Sequence, residues 1–333
     1  RPSEATSGRS RGCCPGEELL HRTFNQRLCF LEDTSIPRFM DQVIYFPFRT
    51  STCHYLKKCC PLDEIITTTE SPPVAKTNGC GYSNPSPFVF LKKSFTHADF
   101  GEYPWMVALL RKDGEDWRQG DYLGGGSLIH KSVVITAAHK VHTLKANQVK
   151  CRAGEWDTKT TNEAYPHQER DVKDIFKNNV ALLILQTPFD LSVPHISTAC
   201  LESKMPPPGT ECFSMGWGQK DFNKDEYAVI LKKVSSVCER AFRPIVGSAY
   251  TMDDSMTCAG GVPGISNCKG DGGSPLICPS SEGTRYAVVG LVVLGHKCDV
   301  NGFPVAFTKV PQVYNWIEDI MKTKNYDTTS FEY

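Results

Sequence analysis

Fifteen cysteines distributed over 333 residues constrain this chain more than any other feature. Reducing compartments keep thiols free, so cysteines this numerous at disulfide-compatible spacings place the chain in an oxidising, extracellular setting. Six of them (Cys13, Cys14, Cys29, Cys53, Cys59 and Cys60) crowd into the stretch from position 13 to position 60. A piece that short buries too little apolar surface to hold itself together, and three disulfides would supply the missing restraint. Zinc is the rival use of crowded cysteines, but no C-x-x-C pairs here with a second C-x-x-C or with spaced histidines.

Charge and hydropathy narrow the class further. Lysine plus arginine equals aspartate plus glutamate at 37 each, which argues against nucleic acid or an anionic membrane as the main partner. No apolar run approaches the roughly 18 residues of a membrane span. The chain opens on polar Arg1-Pro2-Ser3-Glu4 without a secretory leader and reads as a mature secreted form.

Composition shifts divide the chain into a flexible N-terminal tail (1–12), the cysteine-rich unit (13–60), a linker (61–91), a large domain (92–323) and a C-terminal tail (324–333). The linker carries Thr67-Thr68-Thr69, Pro72-Pro73 and Asn84-Pro85-Ser86-Pro87, with no helical or strand period. Beyond it, short apolar runs alternate with turn residues: Val107–Leu110, Val133–Ile135, Val180–Leu185 and Val288–Val293. That rhythm predicts an all-β domain. Val310, Val313, Trp316, Ile317 and Ile320 fall on helical spacing and predict one terminal helix.

The run Cys268-Lys269-Gly270-Asp271-Gly272-Gly273-Ser274-Pro275-Leu276 resembles the nucleophile loop of chymotrypsin-like serine proteases, which reads C-x-G-D-S-G-G-P-L. Further matches are Gly101–Val107, Gly125–Ile129, Thr136-Ala137-Ala138-His139 and Gly216-Trp217-Gly218. The resemblance covers roughly residues 92–322 and implies two packed antiparallel β-barrels with a C-terminal helix. It also exposes the losses. Gly272 stands where the nucleophilic serine belongs, so no side chain attacks a carbonyl, although the Gly270 and Gly272 N–H groups could still form an oxyanion hole. His139 occupies the general-base position. Asn179 replaces the aspartate that orients it, a change that costs about 10⁴ in rate in the template triad. Val305 replaces a pocket glycine, and Ser266 stands at the base of the specificity pocket. Lys92-Lys93-Ser94-Phe95 replaces the I-V-G-G activation terminus. Asp271 thereby loses its usual partner and must find another donor, or its loops stay zymogen-like.

The resemblance also implies pairings and sites. Cys80–Cys200, Cys212–Cys278, Cys238–Cys258 and Cys268–Cys298 would be disulfides of the large domain. Gly124 and Lys140 stand where the disulfide bracketing the histidine is lost, and Cys151 is left as a buried thiol or a partner for an irregular cysteine upstream. Cys53-x5-Cys59-Cys60 resembles the end of a clip domain, with Cys13–Cys59, Cys14–Cys53 and Cys29–Cys60 as implied pairs; adjacent Cys13 and Cys14 depart from that pattern. The loop from Gly154 to Glu163 resembles a family calcium loop, with Glu155 and Glu163 as carboxylate ligands, Asp157 and Thr160 as carbonyl ligands and Glu169 as a further carboxylate.

As a whole the chain resembles insect clip-domain serine protease homologues of the prophenoloxidase-activating type. That implies a secreted haemolymph protein, catalytically silent, acting as a binding cofactor toward prophenoloxidase and upstream clip-domain proteases in melanisation. A secreted recognition or adhesion protein for microbial surfaces or cells is the alternative, and a residual hydrolase the third reading. Within the clip, Phe39, Ile44, Phe46 and Phe48 are too apolar to bury in so small a knot and are expected to bind a partner. Arg49, near the end of the longest clip loop, offers a trypsin-like protease a cut that frees the loop without releasing a fragment, exposing apolar surface or promoting self-association.

Overall fold

Alternating apolar runs become strands whose two faces are both buried. The computed structural model describes residues 79–84, 97–113, 121–161, 163–219, 228, 232–236, 252–260, 267–280, 282–295 and 304–332. The expectations that rest on Cys13, Cys14, Cys29, Cys53, Cys59, Cys60, Phe39, Ile44, Phe46, Phe48, Arg49, Lys92–Phe95, Cys238, Ser266 and Cys298 lie outside the described residues.

Six strands close the first barrel in the order β1-β2-β3-β6-β5-β4: β1 (Met106–Arg111), β2 (Tyr122–His130), β3 (Val133–Ala137), β4 (Val149–Ala153), β5 (Gln168–Lys177) and β6 (Val180–Leu185). Side chains alternate across each strand. Val107, Leu109, Leu128, Val134, Ala181, Leu183 and Leu185 therefore fill the barrel interior. Their sequence neighbours Ala108, Leu110, Ile129, Ile135, Leu182 and Ile184 face outward into a second apolar layer.

That second layer is the seam between the two halves. The other half is a seven-stranded sheet with the path β10-β13-β12-β11-β8-β9. Its strands are β7 (Cys200–Leu201), β8 (Cys212–Gly216), β9 (Lys232–Ser236), β10 (Met256–Gly260), β11 (Pro275–Pro279), β12 (Tyr286–Gly295) and β13 (Pro304–Lys309). All pairs are antiparallel except short β7, which runs parallel to β12. Met215, Trp217, Ile277, Val288 and Leu291 meet the first barrel in the seam. The fold is the chymotrypsin-like pair of antiparallel units.

The terminal helix α1 spans Tyr314–Thr323, preceded by a 3₁₀ turn at Val310–Val313. Pro311 lacks the N–H that an α-helix interior needs, so the first expected turn tightens instead. Val310, Val313, Ile317 and Met321 enter the seam, whereas Trp316 and Ile320 lie only partly buried at its edge. The segment after α1 is part of the fold rather than a free end. Phe331 is fully buried, its carbonyl accepts the Leu201 N–H at 3.0 Å, and Ser330 Oγ donates to the Ile129 carbonyl at 2.8 Å.

The last linker residues are equally fixed. Cys80 is disulfide-bonded to Cys200, Gly81 N–H donates to the Thr198 carbonyl at 2.8 Å, and Tyr286 N–H donates to the Gly81 carbonyl at 2.7 Å.

Candidate functional site

The cleft between the two halves brings two of the three triad positions together. His139 sits in a 3₁₀ turn at Ala138–Lys140 directly after β3. A Cβ built on Gly272 would lie 3.0 Å from His139 Nε2. Base and nucleophile positions thus face each other, but the nucleophile has no atoms beyond Cα.

Asn179 does not join them. It is exposed in the turn before β6, its N–H donates to Asn178 Oδ1 at 2.8 Å, and its carbonyl accepts the Ala138 N–H at 3.4 Å. No side chain among the described residues bonds to the His139 ring. Desolvation first, and then the electrostatic influence of Lys140 and His142 beside it, push the His139 pKa down to about 4. The imidazole is neutral at physiological pH, with neither a hydroxyl to deprotonate nor a carboxylate to orient it.

Lys140 is the residue that sequence reasoning missed. The lost disulfide was legible in Gly124 and Lys140, but not the direction the new lysine takes. Its stem runs over the vacated site: Cδ lies 2.7 Å from a Cβ built on Gly272, and Cε lies 2.6 Å from one built on Gly124. Burial of the amine lowers its pKa, while the Asp271 charge works in the opposite direction. A long side chain therefore occupies space that a serine and a disulfide would otherwise take.

Asp271 has found new donors. Fully buried, it accepts the Gly218 N–H on Oδ1 and the Cys268 N–H on Oδ2, both at 2.7 Å. The carboxylate approaches so closely that a Cβ on Gly218 would lie 2.5 Å from its Cγ, and one on Gly216 would meet Oδ1. The Gly216-Trp217-Gly218 motif is thus a cradle for this charge. Ser274, which replaces a family glycine, is fully buried, and its Oγ has no partner among the described residues. Nearby, Val305 is buried among Ala259, Val292 and Phe307, filling the interior beside the specificity pocket.

The loop expected to hold calcium carries three buried acids, Glu155, Asp157 and Glu163. Glu155 accepts Arg152 Nη1 at 3.0 Å, the Trp156 N–H at 3.0 Å and sits 3.3 Å from His167 Nδ1. Glu163 Oε1 accepts the Asp157 N–H at 3.1 Å, and the Asp157 carbonyl accepts the Thr160 N–H at 3.1 Å. Glu169 is turned away onto Arg152 and Lys150. Burial, then the neighbouring Glu163 charge, pushes Glu155 up to about 8 against the opposing pull of Arg152, and the two carboxyls are hydrogen-bonded. Among the described residues no three His, Cys, Asp or Glu side chains converge on one point. The loop is nonetheless wired to the cleft, because Trp217 Nε1 donates to the Trp156 carbonyl at 3.2 Å, next to the cradle of Asp271.

Cys212 is bonded to Cys278, and Cys258 and Cys268 are each disulfide-bonded. Cys151 is a free, buried thiol in the first barrel, which resolves its two alternatives in favour of the unpaired one.

A family model described as Trypsin matches residues 94–317. Phenoloxidase-activating factor 2 of Galleria mellonella is 39% identical over 302 residues, covering 82% of this chain and 99% of that protein. Inactive CLIP domain-containing serine protease A28 of Anopheles gambiae is 33% identical over 296 residues, covering 82% of this chain and 74% of its own length. Phenoloxidase-activating factor 3 of Holotrichia diomphalia is 28% identical over 253 residues, covering 66% of this chain and 69% of that protein.

Proposed function

This chain belongs to the trypsin family and, within it, to the clip-domain serine protease homologues of the phenoloxidase-activating type, and from that premise we propose that it is a catalytically silent binding cofactor in prophenoloxidase activation. The observation that carries the reading is the pairing of His139 with a residue that has no side chain, under a lysine stem. Such a cleft can hold a partner and cannot cut one. The names of the relatives, phenoloxidase-activating factors and inactive clip-domain proteases, support the same direction. The disulfides support an extracellular setting, and within it the proposal places the protein in haemolymph.

In this proposal residues 13–60 are the clip, held by Cys13–Cys59, Cys14–Cys53 and Cys29–Cys60. Phe39, Ile44, Phe46 and Phe48 bind the partner, and cleavage after Arg49 exposes that surface and drives self-association. The test is a reconstituted mixture of prophenoloxidase and an upstream clip-domain protease. Adding this protein is expected to raise phenoloxidase activity, and Arg49→Gln is expected to abolish the increase. The cut protein should run as one band without reductant and two with it, the new terminus reading Thr50-Ser51-Thr52-Cys53. Full support by Arg49→Gln would remove the switch. Binding to microbial walls with no effect on the mixture would replace the cofactor reading with recognition.

We also propose that the acidic loop takes Ca²⁺ through Glu155 and Glu163 with the carbonyls of Asp157 and Thr160. A divalent cation would take the place of the proton the two carboxyls share and relieve their repulsion. The sign follows from Glu155 being raised to about 8. Between its unfolded value and about 8 the folded state holds a proton that the unfolded state has lost, so stability without metal falls as pH rises through that window. The melting temperature is expected to decline from pH 5 to pH 8 in EDTA, by roughly 2–4 °C per kcal/mol lost at this size. Calcium should reverse the decline, most strongly at the alkaline end. Identical melting curves with EDTA and with calcium at pH 8 would remove the site.

A further inference from the structure

The rim of the silent cleft carries positive charge that no carboxylate among the described residues pairs with directly. Several basic side chains of the first barrel pair with acids: Lys112 with Asp171, Lys150 with Glu169, and Arg152 with Glu155 and Glu169. Lys140, Lys145 and Lys177 are different. Among the described residues no carboxylate lies within ion-pair distance of any of them. Only buried Asp271, beneath Lys140, acts on that amine through its charge.

These groups form one contiguous rim. The Lys140 stem lies against Gly272. His142 Nδ1 is 2.8 Å from the His139 carbonyl, and Lys177 Nζ reaches the His142 and Leu144 carbonyls at 3.1 and 3.5 Å. Lys145 follows directly and is exposed, as are His142 and Lys177. The triad position that would have contributed a negative charge here is the neutral Asn179. Beside the rim, the N–H groups of Asp271, Gly273 and Ser274 are taken by the Cys268, Val292 and Asp271 carbonyls, whereas those of Gly270 and Gly272 have no acceptor among the described residues. Ammonium groups beside two uncommitted backbone N–H groups suit a planar carboxylate.

Resting on the reading that the cleft binds rather than cuts, we propose that this rim is the docking site for an acidic polypeptide segment of a partner, whose Asp or Glu carboxylates meet Lys140, Lys145 and Lys177. A sulfated polysaccharide fits less well. It calls for a long basic track, whereas the chain as a whole is neutral.

The test uses the full chain and a fluorescein-labelled oligoglutamate peptide, followed by fluorescence polarisation. The wild-type protein should bind it with an affinity that falls with salt. Lys145→Glu with Lys177→Glu should weaken binding by roughly tenfold or more, as charge reversal at a complementary surface does. Lys140→Met, which keeps the stem and loses the charge, should weaken it as well. Lys204→Glu with Lys322→Glu makes the same change in net charge away from the rim and should leave binding intact. No binding, equal loss in the rim and control variants, or binding of a sulfated oligosaccharide alone would overturn the proposal. In the reconstituted mixture, full support by the folded rim variant would overturn the docking site and leave the cofactor reading standing. If the wild-type protein itself gave no support, the cofactor reading would fail, and the peptide titration alone would decide on the rim.

Discussion

A Gly272→Ser protein is expected to hydrolyse peptide esters no faster than buffer and to take up no fluorophosphonate. Restoring the hydroxyl supplies a group worth on the order of 10⁶ in rate in a related enzyme, yet three obstacles remain. The new Cβ would lie 2.7 Å from Lys140 Cδ, so the lysine stem must first leave the site. His139, pushed down to about 4, has no carboxylate to stabilise the imidazolium that proton transfer creates. Asn179 is exposed rather than aimed at the ring, so Asn179→Asp would place its charge in solvent, not under His139. Stoichiometric labelling of the single revertant would show that the base needs no orienter and that the lysine stem gives way freely. The same measurement on a variant that adds Lys140→Ala separates these two obstacles.

Gly218→Ala is expected to destabilise the domain severely, by about 2–4 kcal/mol, the range of substitutions that disrupt a buried charge and its hydrogen bonds. Its Cβ would sit 2.5 Å from Asp271 Cγ and 2.6 Å from Asp271 N, both fixed in the interior. Relief requires the carboxylate to move off the Gly218 and Cys268 N–H groups, leaving a buried charge underpaired. The melting temperature should fall by roughly 5–15 °C. Gly209→Ala is the comparison: Gly209 has positive φ, +87°, but open space around it, so only the backbone term of about 1 kcal/mol applies. If both variants melt alike, the cradle is not what holds the carboxylate.

The architecture was legible because its signals are local. Val180–Leu185 shows a continuous apolar run, and the strand it forms is buried on both faces. The helix was legible in its period, and only Pro311 moved its start. The site was legible in part. Gly272 and Asn179 announce losses by their identity alone, and a stranded Asp271 announces the need for donors. Which donors it found depends on how closely Gly216 and Gly218 let another segment approach, and two glycines do not specify that distance. Lys140 was opaque for a related reason. A long side chain at a lost half-cystine can point to solvent or inward, and what decides is the empty volume left jointly by Gly124 and Gly272. The docking of Phe331 was hidden because one aromatic residue in a polar tail carries no period.

Cys151 has a consequence for the order in which this chain must mature. Its thiol is enclosed by the first barrel and burial raises its pKa, so the thiolate that attacks disulfides is suppressed once β1, β4 and β5 have assembled. Enclosure leaves an even number of cysteines to pair. A nascent chain that oxidises before this barrel closes offers one more competent nucleophile than it has correct partners, and exchange can carry the error into any bridge it reaches. Closure of the first barrel before the bridges form would therefore keep this thiol out of oxidative maturation, and heating that opens the barrel is expected to start disulfide exchange even where the remaining bridges are intact.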